Sequence, residues 1–60
     1  MNYMHSSEKI KDLRIHQGYT VEKLAEEANI STKFLYEIEA GRKGFSANVL
    51  YKISKALNVS

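Results

Sequence analysis

Thr32, Lys33, Tyr36 and Glu37, in the segment STKFLYEIEAG, fall on one side when that segment is wound as a helix. With successive residues about 100° apart from Thr32, these four occupy the arc from about 0° to 140°, together with the small Ala40. Phe34, Leu35 and Ile38 lie opposite, at about 200°, 300° and 240°, and define a buried stripe. The polar face can donate and accept hydrogen bonds, make a charged contact and stack, and Ala40 permits close approach to a groove. The helix start adds free backbone amides and the positive end of the helix dipole, both of which attract phosphate. Arg42 and Lys43 follow directly in the basic loop RKGF. The plainer alternative is a solvated polar face, which any amphipathic helix carries.

Other chemistries find less support. His5 and His16 are too far apart in sequence to share a helical turn, and only Asp12 stands at metal-ligand spacing from His16, which is too few donors for a metal site. Glu26 and Glu27 are adjacent, so they point in different directions and act as helix solubilisers, not as an acid/base pair. There is no Gly-rich phosphate loop, and GRKG is a basic turn that matches no nucleotide fingerprint. No enzyme activity, metal, cofactor or small-molecule substrate is expected.

The elements that must present the polar face are short helices. The chain has no Pro and only three Gly, and its apolar residues recur at spacings of three and four, so it reads as all-α. Ser6 or Ser7 caps a first helix whose stripe is Ile10, Leu13 and the stem of Arg14 or Gln17, with Gly18 as the left-handed residue past its end. Thr20 caps a second helix that turns Val21, Leu24, Ala25 and Ala28 inward and stops at Asn29. Ser31 caps a third, from Thr32 to about Ala40, which Gly41 ends. Ser46 caps a fourth over ANVLYKISKAL, with Val49 or Leu50, Ile53 and Leu57 on one face and Asn58 as its stop. The break at Asn29-Ile30-Ser31 suits two helices crossing steeply, with Ile30 buried between them: a helix-turn-helix over about 20–41. The expected core is Leu13, Leu24, Ala28, Ile30, Leu35, Ile38, Leu50, Ile53 and Leu57. Tyr19 is expected to pack on the end of the first helix, whereas Tyr51 fits either packing or, with Lys52 and Lys55, a contact surface.

Length and charge bound the rest. Sixty residues allow one domain, 1–60, too small for a deep catalytic cleft. With no Cys, packing alone must hold it. No run approaches the ~20 apolar residues of a membrane span, and MNYMHSSEKI lacks the apolar centre of a signal peptide, so a cytoplasmic protein with no membrane partner is expected. Residues 1–30 carry four Lys/Arg against five Asp/Glu, and residues 31–60 carry five against two. That basic second half suits a nucleic-acid partner.

From Ile10 to Ser60 the chain resembles the Cro/CI-type, lambda-repressor-like helix-turn-helix domains of phage and bacterial transcriptional regulators. The resemblance rests on LR..QG.T, LA..A.IS, L..IE.G and L..ISKAL.VS as they stand here. It implies four short helices with the third in the major groove of double-stranded DNA. Carried over, the base-reading positions are Thr32, Lys33, Tyr36 and Glu37. Phosphates would be held by Arg42, Lys43, the amides around Thr20 to Val21 and Phe45, and by Gln17 or Lys33. Members often pair an Arg in the first helix with a Glu late in the third, which here are Arg14 and Glu39. Three positions depart from the pattern: Val21 stands where Gln is usual, Glu37 where a neutral or basic residue is commoner, and Phe45 where Pro is frequent. The resemblance further implies transcriptional regulation, usually repression, by a homodimer on a two-fold operator, with a dimerisation segment after Ser60. Departures at 21 and 37 leave room for an alternative: a protein-interaction module that keeps the fold and docks a protein through Tyr36 and Glu37.

Overall fold

A computed structural model describes residues 7–58, and among them every regular element is helical: α1 (Ser7–His16), α2 (Val21–Ala28), α3 (Thr32–Glu39) and α4 (Ala47–Leu57). The expected cap at Ser6, and His5 and Tyr3, lie outside the described residues. The other starts are made by side chains. Thr20 Oγ1 accepts from the Lys23 amide at 3.0 Å, Ser31 Oγ from Phe34 at 3.0 Å, and Ser46 Oγ from Val49 at 3.2 Å. Each supplies an acceptor to an amide that the helix itself leaves unpaired.

The ends follow one device. At the end of α1, Gly18 adopts φ +77°, its amide donates to the Ile15 carbonyl, and the Tyr19 amide reaches back to Arg14. At the end of α2, left-handed Asn29 donates to Glu26 and Ile30 to Ala25; at the end of α3, Gly41 donates to Ile38 and Arg42 to Glu37. These paired backward bonds satisfy orphan carbonyls and turn the chain sharply. Two helices of eight residues each can therefore meet across Asn29, Ile30 and Ser31.

Packing holds these short helices, since pieces this length rarely persist alone in water. α2 packs against both α3 and α4, and α1 against α3. Ile10, Val21, Leu24, Ala25, Ala28, Leu35, Ile38, Ile53 and Leu57 are buried together. This corrects the expected core in a consistent way. Leu13, Ile30 and Leu50 are only half-buried at its margin, while Ile10, Val21 and Ala25 are inside. Ile10 takes the centre of the α1 stripe, which puts Leu13 about 60° to one side. Ile30 sits in the turn with one flank open to water. Leu50 borders a surface groove with Gly44, Phe45, Ser46 and Ala47. Tyr19 is half-buried against the core, and Tyr51 is exposed with Lys55 Nζ 5.8 Å from its ring centroid. No described helix is long and apolar enough to cross a membrane.

Candidate nucleic-acid interface

The stripe of α3 decides what α3 shows. Leu35 and Ile38 are fully buried and Phe34 packs half-buried beside them. Lys33, Tyr36 and Ala40 are exposed, Tyr36 at 53% of its surface. Thr32 and Glu37 are half-buried at the edges of that face. The five residues thus form an outward strip with its exposed centre at Lys33, Tyr36 and Ala40. At the start of α3 the Ser31 hydroxyl serves Phe34, so the first two amides of the helix, those of Thr32 and Lys33, have no intrahelical acceptor.

Arg14 and Glu39 anchor this helix from behind. Arg14 Nε donates to Glu39 Oε2 at 2.7 Å and Arg14 Nη2 to Glu39 Oε1 at 3.0 Å, a two-pronged contact between α1 and α3. The third nitrogen, Nη1, donates to the Tyr19 carbonyl at 2.9 Å. Both side chains are largely withdrawn from water, at 11% and 6% exposure. A planar guanidinium with every nitrogen engaged fixes α3 against α1 in direction as well as distance. By contrast Lys23 and Glu27 on α2, 3.3 Å apart, are half-exposed, and such pairs contribute about 0 to 1 kcal/mol. The Glu27 carboxylate raises the Lys23 ammonium pKa, by hydrogen bond first and by charge second, with Glu26 adding to it.

The phosphate-contact candidates separate. Arg42 and Lys43 are exposed in the loop after α3, and the Arg42 amide is held by the α3 end motif while its side chain is free to extend. Thr20 Oγ1 accepts from Lys23 in the α2 cap, which leaves its O–H able to donate outward, whereas Val21 is buried to 6% exposure and can offer only main chain to an outside ligand. Phe45 packs its ring half-buried on the core. Gln17 also has a structural partner: its Nε2 donates to the Leu57 carbonyl at 2.7 Å, tying the end of α1 to the end of α4. That bond uses one of the two amide hydrogens, and Gln17 stays exposed, so the second hydrogen is left for an outside acceptor.

One residue absent from the sequence reading joins the face. A cleft of about 190 Å³ beside the α3 strip is lined by Lys11, Arg14, Val21, Tyr36, Glu39 and Ala40. Lys11 comes from α1, a helix whose polar positions carry no pattern that singles it out, and only the packing of α1 on α3 puts it next to Tyr36.

A family model described as helix-turn-helix matches residues 10–60. Among solved structures, the wild-type restriction-modification controller protein C.Esp1396I superposes with a TM-score of 0.88 at 31% identity, covering 100% of this chain and 80% of that one. The same controller as a tetramer in complex with its natural 35 base-pair operator gives 0.88 and 31%, covering 100% and 82%. The clp gene regulator ClgR from Corynebacterium glutamicum gives 0.87 and 30%, covering 98% of this chain and 65% of that one. The comparison with curated proteins finds no match.

Proposed function

The chain belongs to the helix-turn-helix family, and on that premise we propose that it binds double-stranded DNA sequence-specifically and regulates transcription, acting as a repressor. The observation that carries this reading is the exposed strip of α3, Lys33, Tyr36 and Ala40 flanked by Thr32 and Glu37, held from behind by the partly buried Arg14–Glu39 contact. A rigidly seated helix with an outward donor, acceptor and aromatic face is what the major groove requires. The helix-turn-helix unit runs from Thr20 to Gly41 within a single domain of residues 1–60. Thr32, Lys33, Tyr36 and Glu37 read base edges. Lys33 reaches guanine O6 or N7, and Glu37 takes a cytosine amino group. Arg42, Lys43, Gln17 and the main-chain amides of Thr20, Val21 and Phe45 hold phosphates.

One such domain covers a half-site, so the functional species is a homodimer with α3 helices about 34 to 36 Å apart on a two-fold operator. Operator-bound assembly of C.Esp1396I as a tetramer supports this reading. The protein acts by occupancy of DNA in the cytoplasm and catalyses no reaction.

The test uses a duplex selected from random sequences and a scrambled one, each titrated at several salt concentrations. Lys33→Ala is expected to cost about 1 to 3 kcal/mol on the selected duplex only and to relax base choice there. Arg42→Ala is expected to weaken both duplexes alike and to lower the salt slope by about one. Equal weakening by Lys33→Ala would make Lys33 a phosphate contact and leave base choice to Thr32, Tyr36 and Glu37. Binding that is absent or insensitive to salt would favour a protein partner on the Tyr36 and Glu37 face.

A further inference from the structure

We propose that Lys11 is a further DNA contact, a phosphate-binding side chain that α1 contributes beside the recognition strip. The proposal rests on the DNA-binding reading above and adds a residue that lies outside the helix-turn-helix unit. The cleft that Lys11 lines has Tyr36 and Ala40 on its other side, and these are two of the three exposed residues of the α3 strip. A duplex seated against Tyr36 and Ala40 therefore passes the mouth of this cleft.

Charge within the cleft singles out Lys11. Arg14 lines it too, but its three nitrogens are spent on Glu39 and on the Tyr19 carbonyl, and the carboxylate balances its charge. Lys11 is exposed and forms no ion pair among the described residues, so its ammonium is the uncompensated charge of the cleft. On α1, Arg14 lies about 60° from Lys11 around the helix, on the side toward the core, so the ion pair forms a floor above which the lysine stands. A flexible four-carbon stem ending in a point charge is suited to a backbone phosphate and poorly suited to reading a base edge. Lys9 lies about 200° from Lys11 around the same helix, is also exposed, and is absent from the cleft lining. It provides a matched control of equal charge.

The experiment titrates the parent chain, Lys11→Ala, Lys11→Arg and Lys9→Ala against the selected and scrambled duplexes between 50 and 200 mM salt, with thermal melting of each variant alongside. Lys11→Ala is expected to weaken both duplexes by the same factor and to reduce the salt slope by about 0.9. The deficit relative to the parent should thus be about 3.5 times larger at 50 mM than at 200 mM, which is the effect of one phosphate contact over a fourfold change in salt. Lys11→Arg should restore the slope, Lys9→Ala should keep it, and the melting temperatures should coincide. A parent slope retained in Lys11→Ala overturns the proposal, as does weakening confined to the selected duplex, which would make Lys11 a base contact. Equal slope losses from Lys9→Ala and Lys11→Ala also overturn it, since the effect would then be net charge and not position. All three outcomes are read against a parent that binds, so they leave the DNA-binding reading standing. A parent that binds neither duplex fails that reading itself.

Discussion

Breaking the Arg14–Glu39 contact should destabilise the fold far more than loss of an ordinary surface pair. Glu39→Ala removes two charge-assisted hydrogen bonds, at 2.7 and 3.0 Å, and leaves a guanidinium that is 11% exposed with the Tyr19 carbonyl as its one remaining acceptor. Removing one partner of a buried pair costs about 3 to 5 kcal/mol. Because both side chains keep an edge in water, the lower end, about 3 kcal/mol, is expected. A domain of this size has about 3 to 9 kcal/mol in all, so the variant loses a third of its stability or more. Arg14→Ala should cost a similar amount, because it strands the carboxylate and the Tyr19 carbonyl together. The double variant should cost little more than either single one, giving a coupling of about 2 to 3 kcal/mol. Urea titration followed by circular dichroism measures each corner of the cycle, with trimethylamine oxide added equally throughout to keep the weakest variant folded. Raising salt to 1 M should leave most of the coupling in place, because a partly buried pair is screened much less than an exposed one. A coupling of about 0.5 kcal/mol or less, or one that disappears in salt, would mean a solvated pair and refute the claim that it seats α3.

Three further outcomes follow from the core and the helix ends. Leu35→Ala, at a position with no exposed surface, should lose about 2 to 5 kcal/mol in denaturant titration, and a midpoint within error of the parent would displace Leu35 from the core. Ser31→Ala should cost about 1 kcal/mol and fray the start of α3, read as faster hydrogen exchange at the Phe34 amide, whereas an unchanged exchange rate would mean the cap is idle. Gly18→Ala should cost about 1 kcal/mol from its left-handed backbone alone, since a methyl group there meets no atom within 4 Å; a loss above about 3 kcal/mol would signal a clash that this structure does not contain.

Much of this architecture is legible in the chain because its determinants are local. A cap joins a hydroxyl to an amide three residues on, as at Thr20, Ser31 and Ser46, and a left-handed Asn29 or Gly41 ends a helix through bonds to the preceding turn. The outward strip of α3 is local in the same sense, since about 100° per residue fixes which side chains oppose Leu35 and Ile38. Tertiary packing decided what no single helix specifies. The sequence pattern puts Ile10, Leu13 and the stem of Arg14 or Gln17 on one stripe of α1, but the way α1 lies on its neighbours makes Ile10 the centre, leaves Leu13 at the margin and turns Arg14 to Glu39, 25 residues away, a pairing that the family resemblance implied and the α1 pattern alone did not. Gln17 meets the Leu57 carbonyl across 40 residues, and Lys11 comes to stand beside Tyr36. Periodicity gives each helix a buried side; the rotation and crossing of helices, set by how whole stripes interlock, decide which edge residues of different helices meet.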